Sequence, residues 1–120
     1  MRKGKIVAQG AHASLQSILA EAMQLAHAGE EAVGIALGFA KRPELQAWLK
    51  AGTPKICVYV ESENDLLALY EKAKDAKLMS SLIRDSGKTE FSGEPTYTAV
   101  AIGPGETEKI DAITQGLPLL

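Results

Sequence analysis

The sequence predicts an α/β domain of three layers, in which helices cover both faces of a mixed β-sheet. Segments with a helical period of apolar residues alternate with short runs of β-prone residues, which is the pattern of layered α/β domains. The 120 residues are 46% hydrophobic and 23% charged, ordinary values for one globular domain. No repeat or linker divides the chain, so residues 1–120 are predicted to form a single domain.

Four helices are predicted. The first runs from Lys5 to a glycine end at His27-Ala28-Gly29, and its apolar residues recur every three or four positions, which predicts one core-facing side. These residues are Val7, Ala11, Leu15, Ile18, Ala22 and Leu25. A second helix covers 43–51, a third follows the capping box of Ser62 and Asp65, and a short last one carries Ile110 and Ile113. Residues 30–41 are interpreted as a partly ordered connection.

Three strands are predicted between these helices. Residues 56–60 are all apolar and β-prone, which indicates a strand buried on both faces with Cys57 as an inert buried thiol. Leu82-Ile83 marks a short strand within 79–85. Thr96–Ile102 forms another, with Thr98 and Val100 on the same face because side chains alternate along a strand.

Composition excludes several classes of protein. One cysteine cannot close a disulfide within the chain, and Cys57, His12 and His27 do not supply a structural zinc site, so we expect no metal and no cofactor. No apolar run reaches the roughly 18 residues of a membrane span, and the opening lacks the form of a secretory signal. We therefore expect a cytoplasmic protein without a membrane partner. The net charge of −2 excludes a strongly basic nucleic-acid binder but allows a local basic patch.

Two polar clusters are candidates for chemistry. Lys5, Gln9 and His12 share one side of the first helix within about 60°, near its positive end, which suits a catalytic surface facing an anion or phosphate. The alternative is a solvated helix face with an incidental histidine. Asp85 ends a predicted strand and precedes a glycine turn with Lys88, where an aspartate can act as a base; the alternative is an Asp-initiated turn with a surface lysine.

Three ordered motifs carry a resemblance to a known family. The stretch GKIVAQGAHAS (4–14) resembles the signature helix of the peptidyl-tRNA hydrolases of the archaeal and eukaryotic type, type 2. LIRDSGKTE (82–90) is similar to the second signature of that family, and TYTAVAIG (96–103) with the following Pro-Gly resembles the third. The resemblance covers nearly the whole chain. It implies a mixed sheet between helices and metal-independent hydrolysis of the ester joining a peptide to the 3′ end of tRNA, which recycles the tRNA.

The resemblance also implies a set of site residues. The expected catalytic residues are Lys5, His12, Asp85 and Thr89. Gln9 and Thr98 are expected to position the substrate. Arg2, Lys3, Arg84 and Lys88 are expected to hold tRNA phosphates with salt-sensitive affinity. Asp85, or His12 if neutral, would orient or deprotonate a water molecule, and Lys5 with the threonine hydroxyls would stabilise the developing oxyanion.

One departure from the family concerns the sheet. Members usually begin with an apolar strand before the methionine that Met1 resembles, and we expect this strand to be missing here. A missing strand would expose sheet edges and part of the packing surface of the first helix. The true start then lies upstream, or the sheet is smaller, or another chain supplies the edge; a homodimer is one possibility. Residues 34–39 have no family counterpart that we can place.

Two other functions remain open at this point. One is a non-catalytic module of the same fold that binds RNA or a protein. The other is an α/β enzyme that hydrolyses a different ester on a nucleotide-linked substrate, and competition by uncharged tRNA would distinguish it from a peptidyl-tRNA hydrolase.

Overall fold

Four helices and two β-strands make up the part of the chain that the computed structural model describes. That part comprises residues 2–25, 42–86 and 94–120, without the side chains of 21–25. The elements are α1 (Lys3–Leu25), α2 (Pro43–Lys50), α3 (Glu63–Asp75), β1 (Ser80–Asp85), β2 (Thr96–Ile102) and α4 (Thr107–Thr114). The α/β class is confirmed. The predicted end of the first helix and the connection 30–41 lie outside the described residues.

The sheet of the described residues has two antiparallel strands, in place of the mixed sheet that we expected. Both strands lie where the sequence predicts them, and β2 has the predicted bounds. The register runs from Ser80 opposite Ile102 to Asp85 opposite Thr96. It shifts by one residue after Ile83, because Arg84 lies opposite Tyr97 and leaves Thr98 as the extra residue of a β-bulge.

The prediction of a buried strand at 56–60 is wrong. Ile56 is 83% exposed, and Cys57 is exposed as well. The segment instead meets the C-terminal residues of the chain: Val58 forms an isolated bridge with Leu119, and the N–H of Tyr59 donates to the carbonyl of Pro118 (3.1 Å). Its β-prone composition therefore produces an extended segment on the surface.

The prediction that the apolar side of α1 faces the core is also wrong for the described residues. Val7 is 71% exposed and Leu15 58% exposed, whereas Ala13 and Ser17 are each 2% exposed. The side of α1 that lies on the sheet is therefore made of small and polar residues.

The residues of the sheet explain why the small and polar side of α1 is the buried one. Ser81 faces α1, because its hydroxyl donates to the carbonyl oxygen of Ala13 (2.5 Å). Residues directly opposite share a face, so Ala101 and Ala99 also face the helix. Two alanines on the sheet and small residues on the helix let the two backbones approach closely. Ser17 then reaches the carbonyl oxygen of Gly103 (2.9 Å), so both buried serines are paired.

The other helices follow the prediction. Pro43 opens α2, and Leu45 is its buried residue. Ser62 caps α3, since its hydroxyl accepts from the N–H of Asp65 (3.1 Å). Leu69 and Ala73 bury one side of α3, which contacts both strands. Strand alternation sends Leu82 and Val100 to the face opposite α1. No described helix is long and apolar enough to cross a membrane.

We expect Gly103→Ala to destabilise the fold by about 1–3 kcal/mol. Gly103 has a φ of +106°, and an added Cβ would lie 3.0 Å from Cδ1 of Ile110. Gly10→Ala is the matched control: its Cβ meets no atom within 4 Å, and alanine in a helix stabilises by about 0.5–1 kcal/mol. Urea unfolding of both variants measures the difference. Equal unfolding midpoints would contradict the prediction.

Candidate active site

Four polar side chains meet where α1 crosses the ends of the two strands. The ammonium of Lys5 lies 2.6 Å from Oδ1 of Asp85. The amide nitrogen of Gln9 lies 3.4 Å from the same oxygen, a long hydrogen bond. The hydroxyl of Thr98 donates to Oε1 of Gln9 (3.0 Å). A chain of contacts therefore runs from Thr98 through Gln9 to Asp85 and Lys5.

Burial makes the Lys5–Asp85 pair stronger than a surface pair. The side chains of Lys5 and Asp85 are 16% and 8% exposed. Reduced contact with water weakens dielectric screening, so the attraction between the two charges is stronger than in an exposed pair. The carboxylate is thereby held in one position beside the ammonium.

The local structure of α1 and β1 explains how three of these residues meet. Lys5 and Gln9 are four positions apart and share the side of α1 that lies over the strand ends. Asp85 is the last residue of β1 and has the same strand parity as Ser81, which faces α1. Its carboxylate therefore points up toward the helix.

Thr98 enters the site because of the β-bulge. In an unbroken strand, Thr98 would lie on the face opposite Ala99 and Ala101, and so away from α1. The extra residue shifts the alternation between Thr98 and Ala99, so that both lie on the helix side. The bulge thus places a hydroxyl beside Gln9 that the regular period of β2 would direct elsewhere.

The remaining predicted residues lie outside this cluster. His12 is exposed, although it follows Lys5 along the same edge of α1. Arg2 and Lys3 are exposed at the start of α1, and Arg84 is exposed with its guanidinium 5.8 Å from the ring centre of Tyr97. Thr89 and Lys88 lie outside the described residues. The structure thus brings together Lys5, Gln9, Asp85 and Thr98 from the predicted set.

Sequence reasoning missed one contact beside the site. Oε1 of Glu63 accepts a hydrogen bond from the main-chain N–H of Tyr97 (3.0 Å), the residue that precedes Thr98. Glu63 opens α3, where an acidic residue is already explained by the positive end of the helix dipole. No local pattern in the sequence distinguishes that ordinary role from a contact with β2.

The arrangement has the parts that hydrolysis requires. A carboxylate can accept the proton of a water molecule, and an ammonium group, an amide and a hydroxyl can donate hydrogen bonds to a developing negative charge. Among the described residues, no group of three or more His, Cys, Asp or Glu side chains is placed to hold a metal ion. The fold and the site define a small α/β protein with an acid–base cluster of the kind that hydrolases use.

Comparison with known proteins identifies the family. The family model described as Peptidyl-tRNA hydrolase PTH2 matches residues 1–120. Among the relatives, the Peptidyl-tRNA hydrolase of Methanocaldococcus jannaschii is 42% identical over 121 aligned residues, which cover 100% of this chain and 90% of the relative. Those of Sulfolobus acidocaldarius and Methanopyrus kandleri are 40% and 37% identical, covering all of this chain and 90% and 88% of theirs. The chain belongs to the peptidyl-tRNA hydrolase PTH2 family.

Proposed function

We propose that the Lys5–Asp85 pair is the catalytic centre with which this peptidyl-tRNA hydrolase cleaves the ester between a peptide and the 3′ end of tRNA. One observation carries the assignment: Oδ1 of the nearly buried carboxylate of Asp85 lies 2.6 Å from the ammonium of Lys5 and also meets the amide nitrogen of Gln9 at 3.4 Å. The match of the whole chain to the family supports hydrolysis of peptidyl-tRNA as the reaction.

Asp85 is the proposed general base. Its carboxylate takes a proton from a water molecule while the water oxygen bonds to the ester carbonyl carbon. The carbonyl oxygen becomes an oxyanion, which the ammonium of Lys5 stabilises. When the intermediate collapses, the bond to the 3′ oxygen of tRNA breaks and the proton returns from Asp85 to that oxygen. The products are the free peptide acid and tRNA.

Gln9 and Thr98 are the proposed positioning residues. Gln9 donates to Asp85 through its amide nitrogen and accepts from Thr98 through its amide oxygen. This directional pairing holds the Thr98 hydroxyl and the Asp85 carboxylate in one geometry. A fixed geometry matters because an error of about 1 Å at a reacting group costs roughly a hundredfold in rate.

The exposed residues are proposed to contact the tRNA. Arg2 and Lys3 are exposed at the start of α1, Arg84 is exposed in β1 next to Asp85, and Lys88 follows Asp85 closely in sequence. Cations of this kind bind phosphates with affinity that falls as salt rises. His12 is proposed to act on bound substrate from the edge of α1, and Thr89 to supply a second hydroxyl; both assignments are the ones that the family resemblance implies.

An enzyme is favoured over a non-catalytic binding module. A module that only binds has no physical need for a carboxylate that is 8% exposed and in contact with both an ammonium and an amide. Hydrolysis of a different nucleotide-linked ester would use the same chemistry, and uncharged tRNA as a competitor distinguishes the two substrates.

We propose that the protein acts in the cytoplasm, where translation supplies the substrate.

We also propose that two copies of the protein pack together through the exposed apolar side of α1. A groove of about 280 Å³ runs between α1 and α2, and Leu15, Ile18, Trp48 and Leu49 line part of it. Light scattering should give a dimer for the wild type and a monomer for Leu15→Glu. Leu119→Glu, at a residue 73% exposed elsewhere, is the control and should remain dimeric. A monomeric wild type would contradict the dimer.

The direct test uses labelled acetyl-aminoacyl-tRNA as substrate, with EDTA present throughout. We expect cleavage to continue in EDTA and to be inhibited by uncharged tRNA. Loss of activity in EDTA that added metal restores would contradict a metal-independent mechanism. Activity that uncharged tRNA leaves unchanged would instead favour a different ester substrate.

A further inference from the structure

We infer that Glu63 is a positioning residue for this reaction, because its carboxylate holds the main chain of β2 next to Thr98. The inference rests on the proposed function of Thr98 within the site. Its basis is the 3.0 Å hydrogen bond from the N–H of Tyr97 to Oε1 of Glu63, which links the start of α3 to the residue before Thr98.

At the bulge, pairing with β1 is interrupted, so a contact from another element is required to fix the main chain of β2. The N–H of Gly103 donates to the carbonyl of Met79, which places Ser81 and Ala101 in a hydrogen-bonded pair and Leu82 and Val100 in a non-hydrogen-bonded pair. At Thr98 this alternation is interrupted, and a bulged residue is left without its ladder partner. In the described sheet, β1 is the strand that pairs with β2, so the ladder holds the bulge from one side.

Glu63 supplies this contact from the edge of β2 that faces away from β1. The N–H of Tyr97 points away from β1 and toward α3, where the carboxylate accepts it. A hydrogen bond to a charged acceptor is stronger than one between neutral groups. On the β1 side, the guanidinium of Arg84 lies over the ring of Tyr97 at 5.8 Å. Tyr97 is therefore held through both its main chain and its ring, and Thr98 follows it directly.

Glu63 is itself fixed in place. Glu63 lies in the first turn of a helix whose cap is formed, since Ser62 accepts from the N–H of Asp65. The helix is held to the sheet by Leu69 and Ala73, which are 9% and 0% exposed. A carboxylate on a packed helix can transmit a fixed position to β2, which a carboxylate on an unpacked loop would not do.

The matched control lies two residues away. Asp65 is the other acidic residue in the first turn of α3, so it has the same favourable interaction with the helix dipole. The contact that the structure gives Asp65 is local, from its own N–H to Ser62, and that main-chain contact survives replacement of the side chain. Asp65→Ala therefore reports the loss of an acidic residue from this turn without loss of the bond to Tyr97.

The experiment compares Glu63→Ala, Glu63→Gln and Asp65→Ala with the wild type, all on acetyl-aminoacyl-tRNA. We expect Glu63→Ala to lower kcat by about threefold to tenfold with KM within twofold, the scale of one exposed hydrogen bond to a charged group. Glu63→Gln keeps an oxygen that accepts from Tyr97, so it should recover most of kcat. Asp65→Ala should retain wild-type kcat.

Hydrogen exchange gives a readout that is independent of activity. The Tyr97 amide should exchange faster in Glu63→Ala than in the wild type, and at the wild-type rate in Asp65→Ala. Unchanged kcat in Glu63→Ala would overturn the inference whatever the exchange rate of Tyr97, and unchanged Tyr97 exchange or equal losses of kcat in Glu63→Gln and Glu63→Ala would overturn it as well. Wild-type protein without hydrolytic activity would instead count against the proposed function, so the two failures are distinguishable.

Discussion

Asp85→Asn is expected to lower kcat by about a hundredfold to ten-thousandfold, the range for loss of a general base. Asparagine has nearly the shape of aspartate and still accepts a hydrogen bond from Lys5, but it cannot take the proton of the attacking water. The carboxylate is 8% exposed and in contact with Lys5 and Gln9. A water molecule from bulk solvent therefore does not readily take its place as the base. Single-turnover cleavage of acetyl-aminoacyl-tRNA measures the loss.

The control for this variant is Asp75→Asn. Asp75 is exposed at the last residue of α3, and its replacement changes the net charge by the same amount. It should leave kcat unchanged. If Asp85→Asn retained full activity with an unaltered fold, Asp85 would not be the base, and His12 would become the leading candidate for that role.

Lys5→Met is expected to lower kcat by about a hundredfold to a thousandfold, because it removes the cation that faces the developing oxyanion. It should also destabilise the fold by about 1–3 kcal/mol, since it removes the ammonium that faces the nearly buried carboxylate of Asp85. Methionine nearly matches the length of the lysine side chain, so packing losses are small. Steady-state kinetics and urea unfolding measure the two effects separately.

Two comparisons make the result for Lys5 specific. Lys109→Met removes a lysine that is 53% exposed and 3.9 Å from Glu106, an ordinary surface pair, so it should change neither quantity measurably. The double variant Lys5→Met/Asp85→Asn should lose less activity than the product of the two single losses, because the residues act as a unit. Fully multiplicative losses would contradict a shared catalytic centre.

The local parts of the site follow from local sequence. Lys5 and Gln9 are four apart on a helix, so their common side is set by the helical period wherever the helix packs. Asp85 ends the strand that the apolar pair Leu82-Ile83 marks in the sequence. The bounds of β2 and the cap at Ser62 are likewise decided by nearest neighbours, and these predictions are confirmed.

Predictions that depended on packing were less successful. The hydrophobic pattern of α1 indicated Val7 and Leu15 as core residues, yet both are largely exposed. A pattern of hydrophobicity does not include the shape of the opposing surface. The sheet presents Ala99, Ala101 and Ile83 to α1, and the small side of the helix packs on this face. The same reason applies to 56–60, whose composition suits a strand but whose neighbours are the C-terminal residues.

The sequence by itself determined the helical side that carries Lys5 and Gln9, the strand that ends in Asp85 and, through its three motifs, the family. Only the tertiary structure decided that Lys5 and Asp85 touch across 80 positions of the chain, that Thr98 faces α1, and that Glu63 holds Tyr97. The physical reason is that period and propensity act over a few residues. A one-residue shift of register, which reverses every later side chain of a strand, depends on how the two strands pair.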